Sequence, residues 1–298
     1  MRGIDEKLSI NPATGTASLS IPIATSPGRQ GFGPQLGLQY DSGGGNSVFG
    51  LGWALSVPSI SRKTAKGLPR YRDSEDTDTF LLSGAEDLVP IVDEQGQRQT
   101  HIREGYRIER FRPRTEGLFA RIERWTDRTS GEVHWRSISK DNVASIYGFS
   151  ADCRIVDSCD PRRVFEWLLE ESFDESGNII RYLYKREDEC GIDQAQLYQR
   201  QIYSNRHLKR ICYGNLTPAA GNQPADNGAK APWQPYDRDD WLFEVVFDYG
   251  EHGVPVAQQF SEPAEIYDEV AVSHVESRDW PGRADPFSTY RAGFERRT

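Results

Sequence analysis

The chain has 298 residues and a mass of 33.8 kDa, room for one large β domain or two ordinary ones. Leu, Ile, Val and Phe make up only about a fifth of it, near the level below which chains stay disordered, but 13 Phe, 13 Tyr and 7 Trp supply large rings on which a core can be built. Thirty-six Lys and Arg face 45 Asp and Glu, and the net charge of −9 argues against nucleic acid as a partner, because the mean field repels its phosphates.

The first ten residues, MRGIDEKLSI, contain no apolar run, and nowhere does the sequence approach the ~18 consecutive apolar residues of a membrane helix. The expectation is a chain with no membrane span and no ordinary signal peptide. Residues 1–90 form a Gly/Pro-rich signature region in which short apolar strands alternate with glycine-containing breaks. Within it Leu19, Ile21 and Ile23 alternate with polar or proline positions, as do Leu36, Leu38 and Tyr40. Strict period-two alternation places apolar groups on one sheet face and polar groups on the other.

The remainder, residues 91–298, is strand-rich. Arg163–Phe173 and Ile179–Lys185 flank the connector Asp174, Glu175, Ser176, Gly177 and Asn178, and this is the clearest hairpin in the chain. Asp193–Ser204 is the one stretch with helical character, and it reads equally well as a strand. Residues 214–240 hold four prolines and almost no aliphatics, so they form an exposed excursion between two strands. Trp241, Phe243, Val245, Phe247 and Tyr249 then alternate again. The fold class is therefore all-β: a large, mostly antiparallel sheet assembly, a curved wall or sandwich, with long Gly/Pro-rich loops and a single domain over residues 1–298.

Few residues suggest chemistry. Asp73, Glu75, Asp76 and Asp78 could gather oxygens for calcium, but the EF-hand glycine and terminal glutamate are missing, and a solvated turn is the expectation. Gly43–Gly50 lacks the Gly-Lys-Ser/Thr ending of a phosphate cradle, and Ser47 does not sit in a Gly-x-Ser-x-Gly elbow. His101, His134, His207, His252 and His274 show no metal spacing. Cys153, Cys159, Cys190 and Cys212 contain no C-x-x-C pair, so reduced thiols are expected rather than a zinc site or a disulfide framework. Trp53, Trp135, Trp167 and Trp241 read as core anchors; a row of exposed rings would instead make a carbohydrate platform. No catalytic, cofactor-binding or metal-ligating residue is assigned.

A resemblance emerges from the run Asn11–Ile23, followed by Ser26-Pro27-Gly28-Arg29, Gly31-Phe32-Gly33-Pro34, Tyr40-Asp41-Ser42-Gly43, Phe49-Gly50-Leu51-Gly52-Trp53, Pro69–Arg72 and Ser83–Pro90. These residues resemble the N-terminal domain shared by the Salmonella virulence protein SpvB and the B components of insecticidal Tc toxin complexes. Looser similarity continues through Ser139–Asn142, Phe173–Tyr184, Tyr213-Gly214-Asn215, Phe247–Gly250 and Asp285–Glu295, so it covers essentially the whole chain. Phe173-Asp174-Glu175-Ser176-Gly177-Asn178-Ile179 also resembles one unit of an Rhs or YD repeat, though one copy makes no array.

The resemblance implies a non-enzymatic structural domain that contributes strands to a shell enclosing or delivering a toxic effector. It implies as partners an Rhs-type toxin C component, other Tc-like subunits and a linked effector domain. It also implies secretion by a dedicated route, with residence in the cytoplasm before release. The family includes an ADP-ribosyltransferase, whose Glu-x-Glu turn Glu187-Asp188-Glu189 resembles; no Ser-Thr-Ser strand precedes it, and a charged loop is expected. The chain is expected to be truncated at its C-terminus, leaving an unpaired edge. The competing expectation is a secreted β-sandwich that binds carbohydrate or a cell surface.

Overall fold

The computed structural model describes residues 7–11, 15–84, 86–115, 117, 119–187, 204–219, 238–249 and 288–297. Four strands at the N-terminus, β1 (Lys7–Asn11), β2 (Thr16–Ile23), β3 (Leu36–Asp41) and β4 (Trp53–Leu55), form an antiparallel meander in that order. Leu19 pairs with Tyr40 and Ile21 with Leu38, so the two alternating runs share one face in register. The turn between β3 and β4 depends on Gly52, whose φ is +79° and where a Cβ would stand 2.6 Å from the Tyr40 ring and 2.7 Å from the Asp41 carbonyl.

The main sheet has 13 strands. They are β5 (Ser59–Arg62), β6 (Phe80–Leu82), β7 (Glu86–Pro90), β8 (Thr100–Arg103), β9 (Tyr106–Pro113), β10 (Arg121–Asp127), β11 (Val133–Ile138), β12 (Ala144–Tyr147), β13 (Arg154–Asp157), β14 (Asp160–Phe173), β15 (Ile179–Arg186), β16 (Arg206–Asn215) and β17 (Trp241–Val246). Neighbouring strands run β12-β11-β10-β9-β7-β6-β5-β14, and β14 also pairs with β12, which closes these eight into a barrel. β14 is long enough to serve two neighbours on one side: Glu166–Leu168 pair with β5, and Glu171–Phe173 pair with β15. From β15 the sheet leaves the barrel as a flap, β15-β16-β17. A two-stranded ribbon, β18 (Ser288–Thr289) and β19 (Arg296–Arg297), completes the described elements.

The hairpin expected at 163–185 is β14–β15. Its turn is set by Asp174, whose carboxylate accepts the Asn178 backbone N–H at 2.9 Å and the Asn178 side-chain amide at 2.7 Å, while Gly177 takes φ +77°. The excursion after Gly214 does separate two paired strands, and its ends are tied by Leu216 N–H to the Asp240 carbonyl at 2.9 Å. β17 stops at Val246, shorter than the alternation through Tyr249, although Phe247 still donates its N–H to the Lys209 carbonyl. Most of the candidate segment Asp193–Ser204 lies outside the described residues; Ser204, at its end, is buried.

Aromatic rings fill the barrel. Phe80 contacts Trp135 at 4.9 Å, Trp167 at 5.8 Å and Phe111 at 6.1 Å between centroids, each edge-on, and both tryptophans are fully buried. This explains how a chain poor in aliphatics folds. Ile60, Leu82, Leu88 and Ile122 complete the same cluster, and Leu36, Ile23 and Leu55 of the N-terminal sheet join it. That sheet is fastened to the flap by Tyr213 Oη, which donates to the Ser26 carbonyl at 2.9 Å, and by Arg29, which donates to the Asn215 and Leu216 carbonyls.

Candidate interaction surfaces

The two ends of the acidic loop, Asp73 and Asp78, fold back on the barrel, while Glu75 and Asp76 between them are exposed. Asp73 opens a single 3-10 turn, and Asp76 ends it in the left-handed region at φ +54°. Arg62, at the end of β5, donates to both Asp73 oxygens at 2.6 and 3.0 Å, to Asp78 at 2.8 Å and to the Val164 carbonyl at 2.7 Å. Its guanidinium also lies over the rings of Tyr71, Phe80 and Trp167. Burial alone would raise the Asp73 carboxyl, but the Arg62 hydrogen bonds and charge outweigh it and hold the group below its ordinary value. Asp76 pairs with Arg98 at 2.6 Å, and Glu75 with Arg72 at 3.4 Å. The solvated-turn expectation is thereby corrected for Asp73 and Asp78: the cation their carboxylates gather around is the buried Arg62 of the chain itself. No cluster of three or more His, Cys, Asp or Glu able to hold a metal occurs among the described residues.

The glycine-rich loop is likewise occupied by its own backbone. The Ser47 hydroxyl donates to the Trp53 carbonyl at 2.5 Å and accepts the Phe49 N–H at 3.0 Å, so it braces the turn. Of the histidines, His101 lies exposed on β8, His134 is buried on β11, and His207 on β16 is hydrogen-bonded to Glu187. His252 and His274 lie outside the described residues, as do Asp188, Glu189 and Cys190.

Trp135 and Trp167 are core anchors, as expected, and Trp167 Nε1 donates to the Val133 carbonyl at 2.7 Å. Trp53, half-buried, packs against Tyr40 at 5.2 Å, and Trp241, also half-buried, donates through Nε1 to the Arg238 carbonyl. With two of the four rings in the barrel interior, these residues do not line up as a carbohydrate platform.

Sequence reasoning missed the charged interior. Arg124 and Glu109, on neighbouring strands β10 and β9, form a buried ion pair. Arg154 donates to the Gly148 and Phe149 carbonyls at 2.6 and 2.5 Å. The available signal was the alternation in Tyr106–Pro113 and Arg121–Asp127, where Glu109 and Arg124 fall in phase with Phe111 and Ile122 rather than with the outward positions.

What remains open to a partner is strand edge and sheet face. Among the described residues β17 pairs only with β16, β8 only with β9, and β13 only with β14. The outer face of the flap carries Leu242, Val246 and Leu183, exposed by 57, 38 and 37%, around an Arg210–Glu244 ion pair of 3.3 Å. Backbone edges flanked by exposed aliphatics join sheets to sheets. A cleft of about 1320 Å³ also separates the N-terminal sheet from the barrel, lined by Gln39, Tyr40, Trp53, Arg62, His207 and Arg296 among others.

Comparison with known proteins agrees with this architecture. The family model described as Salmonella virulence plasmid 65kDa B protein matches residues 11–298. The mono(ADP-ribosyl)transferase SpvB of Salmonella typhimurium is 33% identical over 299 residues, covering 97% of this chain and 46% of SpvB. The chain thus spans about half the length of the curated relatives it matches. The crystal structure of TcdB2-TccC3 superposes with a TM-score of 0.79 and 34% identity over 100% of this chain and 14% of that one. The N-terminal domain of effector protein SpvB from Salmonella typhimurium strain LT2 gives 0.71 and 32%, covering 93% of this chain and 84% of that domain. With the match running almost from end to end, and falling on the N-terminal domain of SpvB, the chain belongs to the SpvB family.

Proposed function

We propose that this chain is a non-catalytic building unit of a bacterial toxin or virulence assembly, adding its strands to a shell that encloses or presents a linked effector. The observation that carries this reading is the flap: an open three-stranded sheet whose last strand, β17, offers an edge and an aliphatic outer face, on a domain that superposes over its whole length on part of TcdB2-TccC3. Its partners are then an Rhs-type C component and other Tc-like subunits, joined through backbone pairing and interdigitated side chains. Release from the producing cell follows a dedicated route. The purified chain is expected to consume no NAD.

The test is co-purification with a TccC3-type C component. Wild-type protein is expected to form a stable complex, and the double variant L242D/V246D to lose it while melting as the wild type does. Full complex formation by that variant, or reproducible NAD turnover abolished by Glu189→Gln, overturns the reading.

A further inference from the structure

His134, on β11, is 3% exposed. Its ring is boxed by Phe149 at 5.2 Å, Tyr106 at 5.4 Å and Trp125 at 5.8 Å. Nε2 accepts a hydrogen bond from Arg136 Nε at 3.2 Å, which requires a neutral ring carrying its proton on Nδ1. The Arg136 Cζ itself lies over Trp125, 3.6 Å from the ring centroid, and its Nη2 finds no acceptor among the described residues.

Phe149 belongs to the segment Gly148–Cys153, which covers the histidine. Arg154 of β13 holds that segment through the Gly148 and Phe149 carbonyls, and Glu170 of β14 holds it through the Ser150 N–H at 2.8 Å and hydroxyl at 2.5 Å. The carboxylates nearby are committed elsewhere. Glu123 on β10 receives Arg121 and Trp125 Nε1, Asp127 receives the N–H groups of Thr129 and Ser130, and Glu132 lies 3.4 Å from Arg154. Tyr106 on β9 contributes a neutral phenol. The two charged groups acting on His134 are Arg136 and Arg154, both cationic; burial first, and then these two, hold the imidazole well below its ordinary value.

We propose that His134 is an acid-sensitive latch: on taking up a proton at Nε2 the ring loses the lone pair that receives Arg136, and the new imidazolium, confined with two guanidiniums, is relieved by Gly148–Cys153 lifting off the barrel wall and uncovering Trp125. The closed form disfavours the proton, and the open form takes it up with an ordinary value of about 6.5. The closed state is therefore fully stable above that pH and weakens as pH falls below it. Below it the opening equilibrium rises about fivefold over the first pH unit and approaches tenfold per unit beyond that, until the ring titrates in the closed form as well.

Hydrogen exchange by NMR on the whole chain, with rates corrected for intrinsic pH dependence, tests this. Amides of residues 148–154 are expected to open about fivefold more often at pH 5.5 than at pH 6.5, with the rest of the barrel unchanged. In His134→Gln, whose amide oxygen can still receive Arg136, the increase should vanish. Should that variant not fold, the wild-type series decides, because the rise must begin as pH falls through about 6.5, before the His134 ring resonances of the closed form titrate. Protection that is constant between these pH values, or lost only once the His134 ring of the closed form titrates, or lost equally in a folded His134→Gln protein, overturns the latch.

Discussion

Arg124 donates two hydrogen bonds to a single carboxylate oxygen of Glu109, 2.9 Å from Nε and 2.5 Å from Nη2, in the middle of an aromatic interior. The same guanidinium lies over Phe80 and Phe111, at 5.6 and 5.7 Å from the ring centroids. Both residues are at most 5% exposed. Burial alone would raise the Glu109 carboxyl, and the charge and hydrogen bonds of Arg124 bring it below its ordinary value instead.

Removing one member of that pair should be worse than removing both. Glu109→Leu leaves a buried cation without its counter-charge and is expected to cost about 3–5 kcal/mol in urea unfolding, whereas Glu109→Leu with Arg124→Met should recover most of the loss. A double variant as unstable as the single one would show that the pair is not an isolated energetic unit.

Acid should act in a second window, well below that of the latch. Asp73 and Glu109 are both lowered by arginines, so the stability they contribute is complete above the ordinary carboxylate values near 4 and is lost as pH falls through the lower folded ones. Asp73→Asn is expected to flatten the decline below about pH 4 while leaving any change between pH 5 and 6.5 in place. Circular dichroism melts across pH 2–7 would separate the two.

Gly148 and Gly131 offer a matched comparison. Both have positive φ, +63° and +77°, but a Cβ at Gly148 would stand 2.5 Å from the Trp167 ring, whereas one at Gly131 meets nothing within 4 Å. Gly131→Ala should cost about 1–2 kcal/mol, the backbone penalty alone. Gly148→Ala adds a collision with a fully buried ring and should cost clearly more; equal melting temperatures would contradict the packing described.

Alkylation should distinguish the thiols. Cys159 is exposed, whereas Cys153 and Cys212 are buried. Burial, reinforced by Glu170, keeps the Cys153 thiol well above its usual value, and burial with Glu244 pushes that of Cys212 up to about 11. Peptide mapping after brief maleimide treatment at neutral pH should find Cys159 modified and the other two protected until the protein is unfolded.

The strands were legible in the sequence where one face met water. Leu36–Tyr40, the Phe173–Ile179 turn and the run from Trp241 all announced themselves, because period two and turn chemistry are local signals. Closure of the barrel was not, since it depends on Ile60 meeting Trp167 across more than a hundred residues, a pairing that no local pattern encodes. The acidic loop misled for the same reason: its carboxylates resemble a solvated turn until β5 delivers Arg62 among them. Buried charges escaped notice because composition cannot tell an outward arginine from one facing a glutamate indoors.

The division of β14 between two neighbours has a mechanical side. β5 grips its middle and β15 its end, so barrel and flap hang on one unbroken stretch of backbone. Traction on β17 would reach the barrel as shear along β14, shared by the ladders on both of its sides. A sheet attached in this way can be tugged at its edge without the aromatic interior being the first thing to give.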